Sequence, residues 1–258
     1  MKSKTRYLLY LKIVILAPLL LICYSPVAKG QTAKEIVQKM DDNMRGEYTT
    51  QEMTMTIVRP TWERSVSMKA WSRGQKYSLI LITAPAKEKG QAFLKRDKEM
   101  WNWAPSIDRM IKIPPSMMAQ SWMGSDFTND DLVKESSVIV DYDHSFIGEE
   151  QIEGRDCYKI KLIPKEDAAV VWGKIIVWIT KRDYLELKVE FYDEDGYLMN
   201  TQTLTDIKTM GGRTIPTHWE MIPADEEGKK TVISIEKSDF NTPIPESFFS
   251  QQNMKRVR

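Results

Sequence analysis

The sequence is poor in the residues that most often carry chemistry or cross-links: 258 residues include two cysteines and two histidines. Cys23 lies within residues 1–30, so the remainder holds only Cys157 and no disulfide can form within it. A fold built there has to stand on its core alone. Cys157 alternates with Lys159 and Lys161, which predicts a place on the wetter face of a strand. His144 and His218 are far apart and lack ligand spacing, and no H-E-x-x-H, phosphate-loop, nucleophile-elbow or dinucleotide pattern occurs. The expectation is a protein that is not an enzyme and uses no cofactor and no metal. Excess positive charge is lacking as well. Of 37 basic residues five (Lys2, Lys4, Arg6, Lys12, Lys29) fall in residues 1–30, leaving 32 against 36 acidic ones, a balance near −4. Nucleic acid is excluded as a partner on that ground, since phosphate binding needs a concentrated basic surface.

Long apolar runs are also missing after residue 30. Residues 1–30 combine a basic start, an apolar stretch from Ile13 to Cys23, and the small residues Ala28 and Gly30 before Gln31, the pattern of a cleaved export signal. Pro18 interrupts the stretch, and it is shorter than the roughly 20 residues a membrane span needs. Ile22 is too bulky for the position before a lipid-modified Cys23, which argues against lipoprotein anchoring. Residues 1–30 are therefore expected to be a signal peptide and 31–258 a single domain.

Thr32-Ala33-Lys34-Glu35 is a capping box, and Ile36, Val37, Met40 and Met44 follow at helical spacing before Gly46. After this one amphipathic helix the period switches to two. Met53, Met55 and Ile57 alternate with threonines; Val66, Met68 and Ala70 alternate with Ser65, Ser67 and Lys69; Leu185, Leu187, Val189 and Phe191 alternate with Glu186, Lys188 and Glu190. Further strand patterns cover 75–83, 91–96, 99–104, 107–113, 137–147, 156–163, 174–180, 197–208, 214–221 and 231–239, with hairpin turns at Asp195-Gly196 and Gly211-Gly212. Short consecutive strands with little helix between them pair antiparallel, giving a mainly β fold with one large curved sheet. The interval from Pro114 to Ser136 breaks the series, with a short helix expected at 116–123 and a second capping box at Thr128–Asp131.

Asp126, Asp130 and Asp131 depart from the calcium-loop spacing and read more simply as caps. Asp141, Asp143 and His144 are the one group that could support catalysis, although a polar turn explains them as well. What is abundant is soft apolar chemistry: 15 methionines and 8 tryptophans. Met117, Met118, Trp122 and Met123 crowd one short segment, with Trp101 and Trp103 on a nearby strand. Methionine-rich surfaces repack around irregular ligands, yet the same residues could simply fill a core beneath a lid. A curved sheet of ten or more strands encloses more space than its own side chains fill, which favours a cavity lined by Met53, Met55, Ile57, Val66, Met68, Trp101, Trp103, Met117, Met118, Trp122 and Met123.

Several segments resemble the outer-membrane lipoprotein-sorting proteins, LolA-like in the broad sense. They are Met100-Trp101-Asn102-Trp103-Ala104-Pro105, Arg109-Met110-Ile111-Lys112-Ile113, Met123-Gly124-Ser125-Asp126-Phe127-Thr128-Asn129-Asp130-Asp131-Leu132, Tyr192-Asp193-Glu194-Asp195-Gly196-Tyr197, and Phe240-Asn241-Thr242-Pro243-Ile244-Pro245 ahead of Phe248-Phe249. The resemblance covers nearly all of 31–258 and is closest to a divergent branch. It implies an unclosed antiparallel half-barrel with an N-terminal helix and short central lid helices, located in the periplasm. It also implies a lid-anchoring arginine, for which Arg59, Arg64 and Arg73 are candidates. The expected function is a non-enzymatic carrier of lipid or lipoprotein acyl chains towards the outer membrane, with an inner-membrane permease or transporter as a candidate partner and only transient membrane contact. The alternative is a lipid-sensing or adaptor protein docking on such a permease.

Overall fold

The computed structural model describes residues 30–134 and 138–257; the expected signal segment lies outside them. Residues Gln31–Arg258 form one compact unit. It opens with α1 (Ala33–Arg45), whose capping box is complete: the Glu35 amide donates to Thr32 Oγ1 at 3.2 Å, and the Thr32 amide to Glu35 at 2.8 Å. These bonds satisfy donors that a helix start leaves free.

Thirteen strands follow: β1 (Tyr48–Arg59), β2 (Trp62–Arg73), β3 (Tyr77–Ala84), β4 (Ala92–Arg96), β5 (Glu99–Ala104), β6 (Arg109–Lys112), β7 (Tyr142–Ile152), β8 (Arg155–Pro164), β9 (Lys174–Thr180), β10 (Glu186–Tyr192), β11 (Leu198–Met210), β12 (Arg213–Pro223) and β13 (Lys230–Asp239). All belong to one sheet in the order β6-β5-β4-β3-β2-β1-β13-β12-β11-β10-β9-β8-β7, with every pairing antiparallel. The two edges, β6 and β7, do not pair with each other. The sheet is thus an unclosed half-barrel, and the chain that joins its two edges is the segment expected to form the lid. The β11–β12 hairpin turns on Gly211 and Gly212, both at positive φ; a Cβ at Gly211 would sit 2.7 Å from the Ser238 carbonyl oxygen.

The concave face gathers the main core. Met55, Ile57, Val66, Met68, Ile80, Ile82, Phe93 and Met100 from β1–β5 meet Ile160, Leu162, Ile175, Val177, Val189, Leu204 and Met221 from the other half, with Ile36, Val37 and Met40 of α1 against them. The period-two alternation places the intervening residues of β2–β5 on the convex face. That face is also buried: Trp71, Leu79, Leu81, Leu94, Trp101 and Trp103 are roofed by Ile244, Phe249, Met254 and Val257 from the C-terminal segment, which includes α2 (Gln251–Met254).

Two local expectations are corrected. The central segment is not one helix over 116–123 but two short 3-10 turns, Pro115–Met117 and Trp122–Gly124, with Met123 and Gly124 at positive φ. Cys157 is fully buried, because Trp178, Leu185 and Leu187 cover it on the convex face.

Candidate lipid site and its lid

The segment between β6 and β7 is fastened to the barrel rim by two arginines. Arg59, at the end of β1, forms a two-pronged ion pair with Asp126 at 2.9 and 3.0 Å and donates to the Gly124 carbonyl at 3.0 Å. Thr231 of β13 completes the junction by donating to Asp126 and accepting from its amide. Both charged side chains are almost wholly buried, so each depends on the other for solvation. Arg64 of β2 donates to the Met123 carbonyl and pairs with Glu88 at 3.1 Å. Arg73, the third candidate anchor, instead lies over the Tyr48 ring.

Beneath these anchors the lid is packed solid. Trp122 is 1% exposed and its ring meets Phe93 with 5.1 Å between centroids, while Met118 and Phe127 join the same cluster. Three buried polar atoms in this seat have no partner among the described residues: Arg64 Nε, one Glu88 oxygen and Trp122 Nε1.

The cavity lies elsewhere. A half-enclosed space of about 240 Å³ opens between α1, the second half of the lid and strands β9–β12. Its walls are largely apolar: Met40 and Met44 from α1, Phe127 and Leu132 from the lid, then Trp172, Val177, Phe191, Leu204, Trp219 and Met221. None of the residues expected to line the site borders it. Met55, Ile57, Val66, Met68, Met118 and Trp122 are core beneath the seated lid, and Met53, Met117 and Met123 pack against that core. Trp101 and Trp103 are corrected most sharply, since Met100 takes the inward position on β5 and both indoles go to the convex face.

The polar side chains around this space come from residues outside the expected cavity lining. Asp131 caps its own turn by accepting from the Thr128 amide at 2.8 Å, and it accepts the Trp172 indole N–H at 2.9 Å, which ties the lid to the loop before β9. Burial raises its carboxyl. Tyr142 has its phenol pushed up by burial and by Asp130, Asp131 and Asp141. Asp41 of α1 accepts from Gln75 at 2.9 Å and pairs with Arg45 at 3.4 Å. Glu186 stands alone: its carboxyl is pushed up to about 7, by burial first and by Asp41 second. It was expected on the wet face of β10, but an irregularity between Glu186 and Lys188 turns it inward and sends Leu187 to the convex face. His144 meets the Val138 carbonyl at 2.6 Å, and burial lowers its pKa against the opposing effect of that contact and of Asp143. No group of three metal-ligating side chains occurs among the described residues.

An open antiparallel half-barrel, filled by one helix and a tethered lid and holding an apolar space between them, defines the LolA-like fold. The family model that matches residues 74–256, well over half of the chain, is described as an uncharacterized protein, and the chain belongs to that family. Solved structures agree. A domain described as outer-membrane lipoprotein-sorting from Vibrio parahaemolyticus is 26% identical, with a TM-score of 0.78 over 87% of this chain and 98% of that one. A LolA superfamily protein from Nitrosomonas europaea is 24% identical, with a TM-score of 0.74 over 86% and 99%. A DUF1329 family protein from Desulfovibrio piger is 24% identical, with a TM-score of 0.78 over 86% and 97%. No curated protein matches the sequence. No helix of the described residues is long and apolar enough to cross a membrane.

Proposed function

We propose that this protein is a periplasmic, non-enzymatic carrier that shelters the acyl chain of a lipid or lipoprotein on its way towards the outer membrane. The observation that carries this reading is the apolar cavity between α1 and a lid held by side-chain bonds instead of strand pairing. A cavity of this kind binds ligands that are themselves largely apolar. Each methylene buried contributes about 0.8 kcal/mol, from which the costs of association and ordering are subtracted.

The cargo enters where the lid moves. Three orphaned polar atoms in the lid seat each cost about 1–3 kcal/mol when dry, so displacing the lid into water recovers part of what the broken contacts lose. Opening then extends the cavity towards Met117, Met118 and Trp122, and these residues become a second, adaptable wall. The similarity to the Vibrio parahaemolyticus domain supports lipoprotein-type cargo. Residues 1–30 act as a cleaved export signal in this reading, and 31–258 as the carrier domain, with an inner-membrane permease as the donor of cargo.

The test is native mass spectrometry of protein purified from a periplasm without detergent, followed by solvent extraction. A retained lipid or acylated peptide supports the carrier. An empty protein that co-purifies with one stoichiometric membrane partner overturns it in favour of an adaptor.

A further inference from the structure

Glu186 and Gln202 border the cavity with no side-chain partner among the described residues. Gln202 of β11 is 8% exposed, borders the cavity, and makes no side-chain hydrogen bond. Glu186 of β10 borders the same space and makes neither a hydrogen bond nor an ion pair with a described residue. Two of the aspartates there are already engaged: Asp131 holds Thr128 and Trp172, and Asp41 holds Gln75 and Arg45. Neither belongs to the described side-chain atoms sealed from solvent without a bond, so the cavity solvates both, and a ligand that displaces that water has to supply the missing partners. Such groups mark the place where a ligand supplies the missing partners.

The sign of the site narrows the ligand. Sharing the cavity wall with Glu186 are Asp41 and Arg45 from α1, Asp130 and Asp131 from the lid, and the Tyr142 phenol from β7, with Asp41 the one that acts on its carboxyl. Arg45 is the one cation bordering the cavity among the described residues, and Asp41 already engages it. Four carboxyls against one committed guanidinium repel an anionic head group and favour a hydrogen-bond donor bearing positive charge. Resting on the carrier reading, we infer that the cavity selects amphiphiles with an amino head group, which the Glu186 carboxylate and the Gln202 carbonyl oxygen accept, in preference to lipids that present a phosphate or carboxylate there. The apolar tail then runs along Phe191, Val177 and Trp172.

The test compares three probes of equal chain length, decylamine, decanol and decanoate, by calorimetric titration of the full domain at pH 8, where Glu186 is ionised. The amine is expected to bind at least tenfold more tightly than the carboxylate, with the alcohol between them. Glu186→Gln brings the amine down towards the alcohol, and Gln202→Leu weakens amine and alcohol alike. Decanoate binding as tightly as decylamine overturns the inference while leaving the carrier intact, and so does a Glu186→Gln protein that keeps the full preference for the amine. Failure of all three probes to bind overturns both readings.

Discussion

The two halves of the barrel use their apolar residues in opposite ways. In the half built from β1–β6, both faces of the sheet are covered: the lid seats Trp122 and Met118 on the concave side, and the C-terminal segment roofs Trp101 and Trp103 on the convex side. In the half built from β7–β12, α1 covers the concave face only in part and leaves a space with Glu186 and Gln202 at its wall. The half richest in methionine and tryptophan is therefore the packed half, and the other half keeps an open space with polar groups in its wall. Density of sticky residues reports burial and does not by itself mark a cavity.

That contrast can be broken by mutation, most severely in the packed half. Trp122→Ala removes a fully buried indole beneath the lid and is expected to cost about 3–5 kcal/mol in chemical denaturation. A cost below about 1 kcal/mol would show that the lid seat is not packed as described. Arg59→Met strands the Asp126 carboxylate, and breaking such a buried pair costs up to about 3–5 kcal/mol. Because the loss is concentrated at the lid, amide exchange over residues 117–131 should accelerate before the sheet does, and a second change, Asp126→Asn, should restore part of the stability.

In the cavity half the sign reverses. Glu186 has a folded-state pKa raised from 4.5 to about 7, so the folded protein holds its proton more tightly than the unfolded chain does. No cost exists below about pH 4.5; it grows as the pH rises to 7 and is complete above. Glu186→Gln should therefore stabilise the protein at pH 8 by up to about 3 kcal/mol and leave it unchanged at pH 4. A pH-independent effect would place Glu186 in water. The smallest effect concerns Cys157, whose thiol burial pushes up beneath Trp178 and Leu187. A disulfide reagent should modify it slowly in the native protein and rapidly in denaturant; fast native labelling would expose the convex-face cluster.

Much of the fold was legible because its signals are local. The Thr32–Glu35 capping box, the Asp131 cap, the alternation of Met53 to Ile57 and Val66 to Ala70, and the Gly211-Gly212 turn all hold. What failed depends on distant chain. Nothing near Trp101 and Trp103 announces that residues 244–257 will cover them. The lysine neighbours of Cys157 point to the wet face, whereas Leu187 of β10 and Leu185 just before that strand arrive to bury it. Glu186 was assigned by strict alternation, and a single irregularity at the start of β10 reverses its face. The lid anchors were half legible: two of three candidate arginines hold the lid, but choosing between them required the rim geometry.

The most direct test of the central claim, that apolar cargo lies between α1, the lid and β9–β12, is photo-crosslinking with an alkyl diazirine probe, read out by peptide mass spectrometry. Saturable labelling of peptides that contain Met40, Trp172 or Phe191, competed by unlabelled lipid, is the predicted result. Labelling confined to the convex face around Trp101 and Trp103, or labelling that never saturates, would contradict it.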